Sequence, residues 1–190
     1  TRTILDFDAV FIDSGGLKDQ EPNSGAIDFR REEFLDFLQL GRTIVVFIGS
    51  LRLDEFFPID EPVELKAFSG HKFEFKGPDY LKSFWQSVQP DMQYLARFEN
   101  DSCPGKPFVF VPSTNRPVGT LVKHDRGNLL LLPWLRVDPN DPIGNMHSCE
   151  RFTTAFKKLN EHLVPKKQKV ELPAWSAQFG WERERLLREN

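Results

Sequence analysis

The sequence predicts an α/β fold: a mixed, mainly parallel sheet in three layers, with antiparallel strands in its second half and a helical appendage at the C-terminus. Three observations predict it. Phe7 to Ile12, Thr43 to Ile48, Pro107 to Val111 and Asn128 to Leu132 are almost unbroken apolar and aromatic runs, the pattern of strands buried on both faces. Between the first two runs lies an amphipathic stretch ending at Gly41, so that strand, helix and strand follow in the order that builds a right-handed parallel unit. His124-Asp125-Arg126-Gly127 reads as a turn between two β-like runs, which makes that part antiparallel.

Ile4 to Asp13 is read as the first strand, ended by Asp13-Ser14-Gly15-Gly16, with a polar surface loop from Leu17 to Ala26. Asp28 is placed to cap a helix whose Phe34, Leu35, Phe37 and Leu38 share a face, and Gly41 supplies the stop. Thr43 to Gly49 follows as the second strand. Val63 to Phe68 and His71 to Lys76, separated by Ser69-Gly70, predict a hairpin with one wet face, because the second run alternates polar with apolar. Pro78 suits the first turn of a helix over Asp79 to Val88. Gln93 to Phe98, Pro107 to Val111, Val118 to Lys123 and Asn128 to Leu132 are read as strands. A loop from Arg136 to Asn145 leads to a helix capped near Ser148, with Phe152, Ala155, Phe156, Leu159 and Leu163 at helical spacing and Pro165 as its end.

A chain of 190 residues that is 39% hydrophobic can build one sizeable core. The expected organisation is an α/β domain over residues 1–164 and a linker with a helical appendage over 165–190. The 18 phenylalanines against 2 methionines predict an aromatic, rigid core. A formal charge of -3 argues against broad nucleic-acid binding. Only the small basic run Lys166, Lys167 and Lys169 and the terminal Arg183, Arg185 and Arg188 speak for it, and gel-shift binding that weakens with salt would be their signature. The two cysteines form no disulfide framework, and no apolar run approaches membrane-span length, so the expected setting is the reducing cytoplasm, with no membrane partner. A first residue other than methionine fits a part of a longer chain.

Several motifs invite a chemical reading. Asp13-Ser14-Gly15-Gly16 after a hydrophobic strand is like a phosphatase nucleophile loop, but Gly15 stands where that chemistry needs an acid two residues after the nucleophile. Gly49-Ser50 lacks the alternate glycines of a nucleophile elbow, since Leu51 and Arg52 follow. Asp13, Ser14, Gly15, Gly16 and Ser50 therefore remain as ligand-binding candidates at strand ends rather than catalysts. Cys103 lies in a loop-like stretch, and Cys149 begins a helix two residues after His147; with no third partner identified, both are read as structural. His71, His124, His147 and His162 lack paired ligand spacing, so no metal and no cofactor is expected. Trp175, Phe179 and Trp181 are interaction candidates: they either dock the appendage on the domain or, if exposed, meet a protein partner.

Phe7-Asp8-Ala9-Val10-Phe11-Ile12-Asp13, followed by Phe34 to Ile48 through Gly41, resembles the opening of class I glutamine amidotransferase-like α/β domains. Gly127-Asn128-Leu129-Leu130-Leu131-Leu132-Pro133 is similar to their late glycine, buried strand and proline element. Leu172-Pro173-Ala174-Trp175 through Glu182 looks like the junction of uncharacterised bacterial proteins in which such a domain leads into a long charged helix. The resemblance, over Ile4 to Leu163, implies a flavodoxin- or amidotransferase-like sheet. It implies no catalysis, because neither Cys103 nor Cys149 sits between alternate glycines after a central strand. It also implies one strand and helix ahead of the first strand found here.

The function expected from all this is a non-catalytic cytoplasmic α/β domain for protein interaction or ligand sensing, part of a longer bacterial protein, whose partners are another protein or further domains of the same chain. The alternative is a hydrolase or transferase with a site at the strand ends near Asp13 and Ser14.

Overall fold

The computed structural model describes residues 4–13, 24–49, 53, 57–60, 63–99 and 102–164. A 3-10 turn, Ile4–Asp6, leads into β1 (Ala9–Asp13), α1 (Ser24–Gln39) and β2 (Thr43–Phe47). β3 (Leu65–Gly70), β4 (Glu74–Phe75) and α2 (Asp79–Val88) follow. The chain then forms β5 (Met92–Phe98), β6 (Lys106–Val111), β7 (Arg116–His124), β8 (Gly127–Leu132), β9 (Trp134–Leu135) and the long helix α3 (Pro142–Leu163).

Six strands make one mixed sheet in the order β1-β2-β8-β7-β6-β4, and β3-β5-β9 make a second, antiparallel one. β1 with β2 and β2 with β8 are parallel, while β8 with β7, β7 with β6 and β6 with β4 are antiparallel. The main sheet is thus partly rather than mainly parallel. The expected hairpin of Val63–Phe68 with His71–Lys76 does not form, because β3 pairs with β5 and β4 pairs with β6. The alternation of His71 to Lys76 was a true sign of a half-wet strand, but alternation does not name the partner.

Side-chain alternation sorts the core into two clusters. Ile44, Val46, Leu129 and Leu131 join Phe34, Phe37 and Leu38 of α1. Val45, Leu130 and Leu132 join Leu81, Phe84 and Trp85 of α2 and Phe152, Phe156 and Leu159 of α3. Successive residues of one strand face opposite sides of a sheet, and along β2 and β8 the residues that pack with α1 alternate with those that pack with α2 and α3. The aromatic content is spent largely on the second cluster, where Phe152 meets Phe11, Phe47 and Phe84 at ring-centroid distances of 5.7, 5.3 and 5.8 Å.

Two polar residues at the starts of the apolar runs have a defined use. Thr43 and Asn128 are fully buried; the Thr43 hydroxyl donates to Asn160 Oδ1 at 2.7 Å, and Asn128 Nδ2 donates to the Leu163 carbonyl at 3.2 Å. Lys123 Nζ donates to Asn128 Oδ1, and burial holds that ammonium below its ordinary pKa. The end of α3 is therefore pinned to the beginnings of β2 and β8. Gly127 lets α1 close on the β7–β8 turn, since a Cβ there would stand 2.3 Å from the Leu38 carbonyl oxygen.

α3 begins earlier than the sequence suggests. Its cap is Asp141, whose carboxylate accepts from the Gly144 N–H at 2.8 Å, with Pro142 in the first turn. The expected cap at Ser148 is overruled because Asp141-Pro142 makes a stronger start. The first strand is likewise shorter than Ile4 to Asp13, since Ile4–Asp6 coils into a 3-10 turn.

Candidate functional site

α2 and α3 lie side by side, and between them runs an open groove of about 1700 Å³. Each helix turns its apolar stripe to the sheet and its polar stripe to the groove. On α2, Leu81, Phe84, Trp85 and Val88 are buried, which at 3.6 residues per turn leaves Tyr80, Ser83 and Ser87 facing the groove. On α3, Phe152, Phe156, Leu159 and Leu163 are buried, while Ser148, Arg151, Thr154, Lys158 and His162 line the opening. The lining runs from Asp141 to His162, which at the rise of a helix is about 30 Å.

The upper end of the groove is fixed by a polar mesh. Arg151 Nε and Nη2 grip the two oxygens of Asp91 at 2.7 and 3.1 Å, and the Asp91 carbonyl accepts from the Arg136 N–H at 2.8 Å. The Asp91 carboxylate, by hydrogen bond and charge, raises the Arg151 guanidinium above its ordinary pKa. In the β9–α3 connection, Asn145 both accepts from the Asp138 N–H at 2.9 Å and donates to the Asp138 carbonyl at 2.7 Å. A Cβ at Gly144 would lie 2.1 Å from the capping carboxylate of Asp141, so a side chain there would push that carboxylate aside. Val137, Ile143 and Met146 stand exposed around the same end.

Of the strand-end candidates, Asp13 is the exposed last residue of β1, in register with Phe47 of β2. Ser14, Gly15, Gly16 and Ser50 lie outside the described residues, as do Trp175, Phe179, Trp181, the lysines at 166, 167 and 169 and the arginines at 183, 185 and 188. Cys149 is exposed on α3, and Cys103 is half-buried; neither is in a disulfide. His147 Nδ1 lies 3.4 Å from Glu150 Oε2. Among the described residues no group of three or more His, Cys, Asp or Glu is placed to hold a metal ion. Nor, among them, is any helix long and apolar enough to cross a membrane.

The groove itself was not foreseen from the sequence. The signal was present in α2, where Ser83 and Ser87 sit four apart opposite a fully apolar stripe, but one polar stripe gives no hint of a second helix beside it. A second unforeseen feature is Asp36 on α1. It is buried, its Oδ2 has no hydrogen-bond partner, and its pKa is raised to about 7 by desolvation first and then by Glu32 and Glu33.

No protein-family model matches the chain, and no curated protein matches it either.

Proposed function

We propose that the chain is a non-catalytic α/β domain that holds a macromolecular partner in the groove between α2 and α3. The supporting observation is the shape and lining of that groove. Small-molecule sites are enclosed, mostly apolar and of some 300 to 1000 Å³, whereas this one is open, of about 1700 Å³, and mixes serines, threonine and both signs of charge with apolar groups such as Phe84, Val137 and Leu159. A trough about 30 Å long beside a helix suits a peptide segment laid against it. Tyr80 and Arg151 are its natural anchors, since tyrosine and arginine carry a large share of contact energy at interfaces.

The partner is another protein or a further domain of the same, longer bacterial chain, and the setting is the cytoplasm. The finer fold reading is a flavodoxin- or amidotransferase-like arrangement in which helices on both faces enclose the sheet.

A peptide library probed by fluorescence anisotropy tests this reading. Binders in the micromolar range are expected for the natural chain, with at least tenfold weakening in Ser83→Arg combined with Thr154→Arg, which fills the trough from both walls. Robust amide, ester or phosphate turnover abolished by Asp13→Ala or Cys149→Ala would instead overturn the non-catalytic reading, and loss in Asp13→Ala would favour the strand-end enzyme.

A further inference from the structure

The start of α3 presents apolar side chains on backbone that is tied in place. Val137, Ile143 and Met146 are 51%, 65% and 53% exposed on one stretch of ten residues. Single exposed apolar residues need no account, but a group of them marks a contact surface. The Asp141 N–H donates to the Asp138 carbonyl at 3.1 Å and the Asn145 N–H to the Asp141 carbonyl at 3.1 Å, besides the two bonds between Asn145 and Asp138. Ile143 and Met146 stand four residues before His147 and Glu150, which line the groove, so they lie beside them at its rim. A partner meets little ordering cost at a surface already ordered.

Charge says what that partner carries. The Arg151 guanidinium offsets Asp91. Around the α3 start this leaves Asp138, Asp141 and Glu150, all exposed, against Arg136, with His147 Nδ1 3.4 Å from Glu150 Oε2. Asp138 and Asp141 accept backbone N–H groups from Asn140 and Gly144 at 2.9 and 2.8 Å, and a carboxylate bonded to an amide keeps its charge. The helix dipole adds about half a positive charge there, too little to balance the excess. Asp79, on the α2 wall, adds to the negative side, while Lys158 and His162 stand toward the other end of α3. Lys158 is about 12 Å along the helix from Glu150 and about 25 Å from Asp141. Both spans exceed the roughly 8 Å over which charge acts in physiological salt, so the basic end does not neutralise the acidic one.

We infer that the segment held in the groove is basic and apolar at once: its lysines or arginines lie over Asp138, Asp141 and Glu150, and its apolar side chains meet Val137, Ile143 and Met146. This rests on the proposed reading of the groove as a peptide site, and adds the chemistry of the peptide and the direction in which it lies. The same carboxylates repel the phosphates of lipid and nucleic acid, the other surfaces to which apolar knobs attach.

Fluorescence anisotropy of the full chain with two labelled peptides tests it. Both carry leucines and alanines in the same places; one has lysine at every charged position and the other glutamate. In dilute salt the lysine peptide is expected to bind about tenfold tighter or more, and that advantage to shrink several-fold in about 0.5 M salt. Glu150→Lys and Met146→Ser are each expected to weaken the lysine peptide about fivefold, whereas Lys158→Glu is expected to tighten it about twofold. Urea midpoints check that each variant is folded. A lysine peptide indifferent to both Glu150→Lys and Met146→Ser overturns the inference. So does a glutamate peptide that binds as well or better; where Ser83→Arg combined with Thr154→Arg abolishes that binding, the groove reading stands and the charge assignment alone falls. Binding by neither peptide at about 1 mM overturns both. Attachment to phosphatidylserine vesicles that Met146→Ser abolishes would give the apolar group to a membrane and reject the peptide.

Discussion

The two edges of the six-stranded sheet are built on different principles. β4 is two residues long, its Glu74 lies 3.3 Å from Lys76, and Gly77-Pro78 ends it at once. Lys76 also reaches Asn115 Oδ1 at 2.6 Å and lies over the Phe110 ring at 5.3 Å. That edge is short, charged and finished. β1 is five residues long, with Ala9 to Ile12 uncharged and Phe11 open. α1, which packs on β2 and β8, adds a buried carboxyl with an unpaired oxygen, Asp36, where the β4 edge keeps its charges exposed and partnered. The contrast teaches that exposure alone does not identify an interaction surface. A sequence unsuited to the exposure it has does so.

The largest effect expected is at the centre, which sets the scale for both edges. Leu130 is fully buried against α2 and α3, so Leu130→Ala should cost about 2 to 5 kcal/mol in urea unfolding. Next comes Asp36→Asn. The native carboxyl, at about 7, lies above its ordinary 3.8, so the native state holds a proton that the unfolded chain has lost between those values. Stability from this group is therefore highest below about pH 4, falls as pH rises through the window to about 7, and stays low above it. The variant should exceed the natural protein by on the order of 3 kcal/mol at pH 8 and match it near pH 4. Equal urea midpoints at pH 8 would mean that Asp36 is paired in solution.

Much of the parallel half was legible in the sequence, because Thr43 to Ile48 and Asn128 to Leu132 are pure apolar runs and central strands are bought by apolarity on both faces. The partners of β3 and β4 were not, since alternation fixes which face is wet and leaves the neighbour open. The start of α3 was misplaced by seven residues because Ser148 has the chemistry of a cap but not the context that Asp141-Pro142 has. Of the strand-end candidates only Asp13 is described, and the groove escaped because it is made by two helices more than 50 residues apart in the chain.

Phe11→Ala separates the two accounts of β1 at a smaller scale. A phenylalanine left 44% exposed with two ring neighbours should cost about 1 kcal/mol on truncation, whereas one covered by a further strand should approach the 3 to 5 kcal/mol of a buried aromatic. Urea unfolding of the full chain reads the difference directly. A loss near the upper figure would show that Phe11 is covered in solution by more than its two ring neighbours.

The finished edge should be the least sensitive. Glu74 and Lys76 are both half-exposed, and pairs of that kind contribute roughly 0 to 1 kcal/mol. Glu74→Thr is thus expected to change stability by less than about 0.5 kcal/mol, since threonine gains strand preference as the ion pair is lost. Its effect should show instead in solubility, because the charge at Glu74 keeps other strands from adding to β4. A concentration-dependent rise in light scattering for Glu74→Thr, without a shift in the urea midpoint, would confirm that β4 is held open by charge. A large loss of stability would mean that Glu74 supports the sheet itself, and the distinction between a protected edge and an uncovered one would then fail at β4.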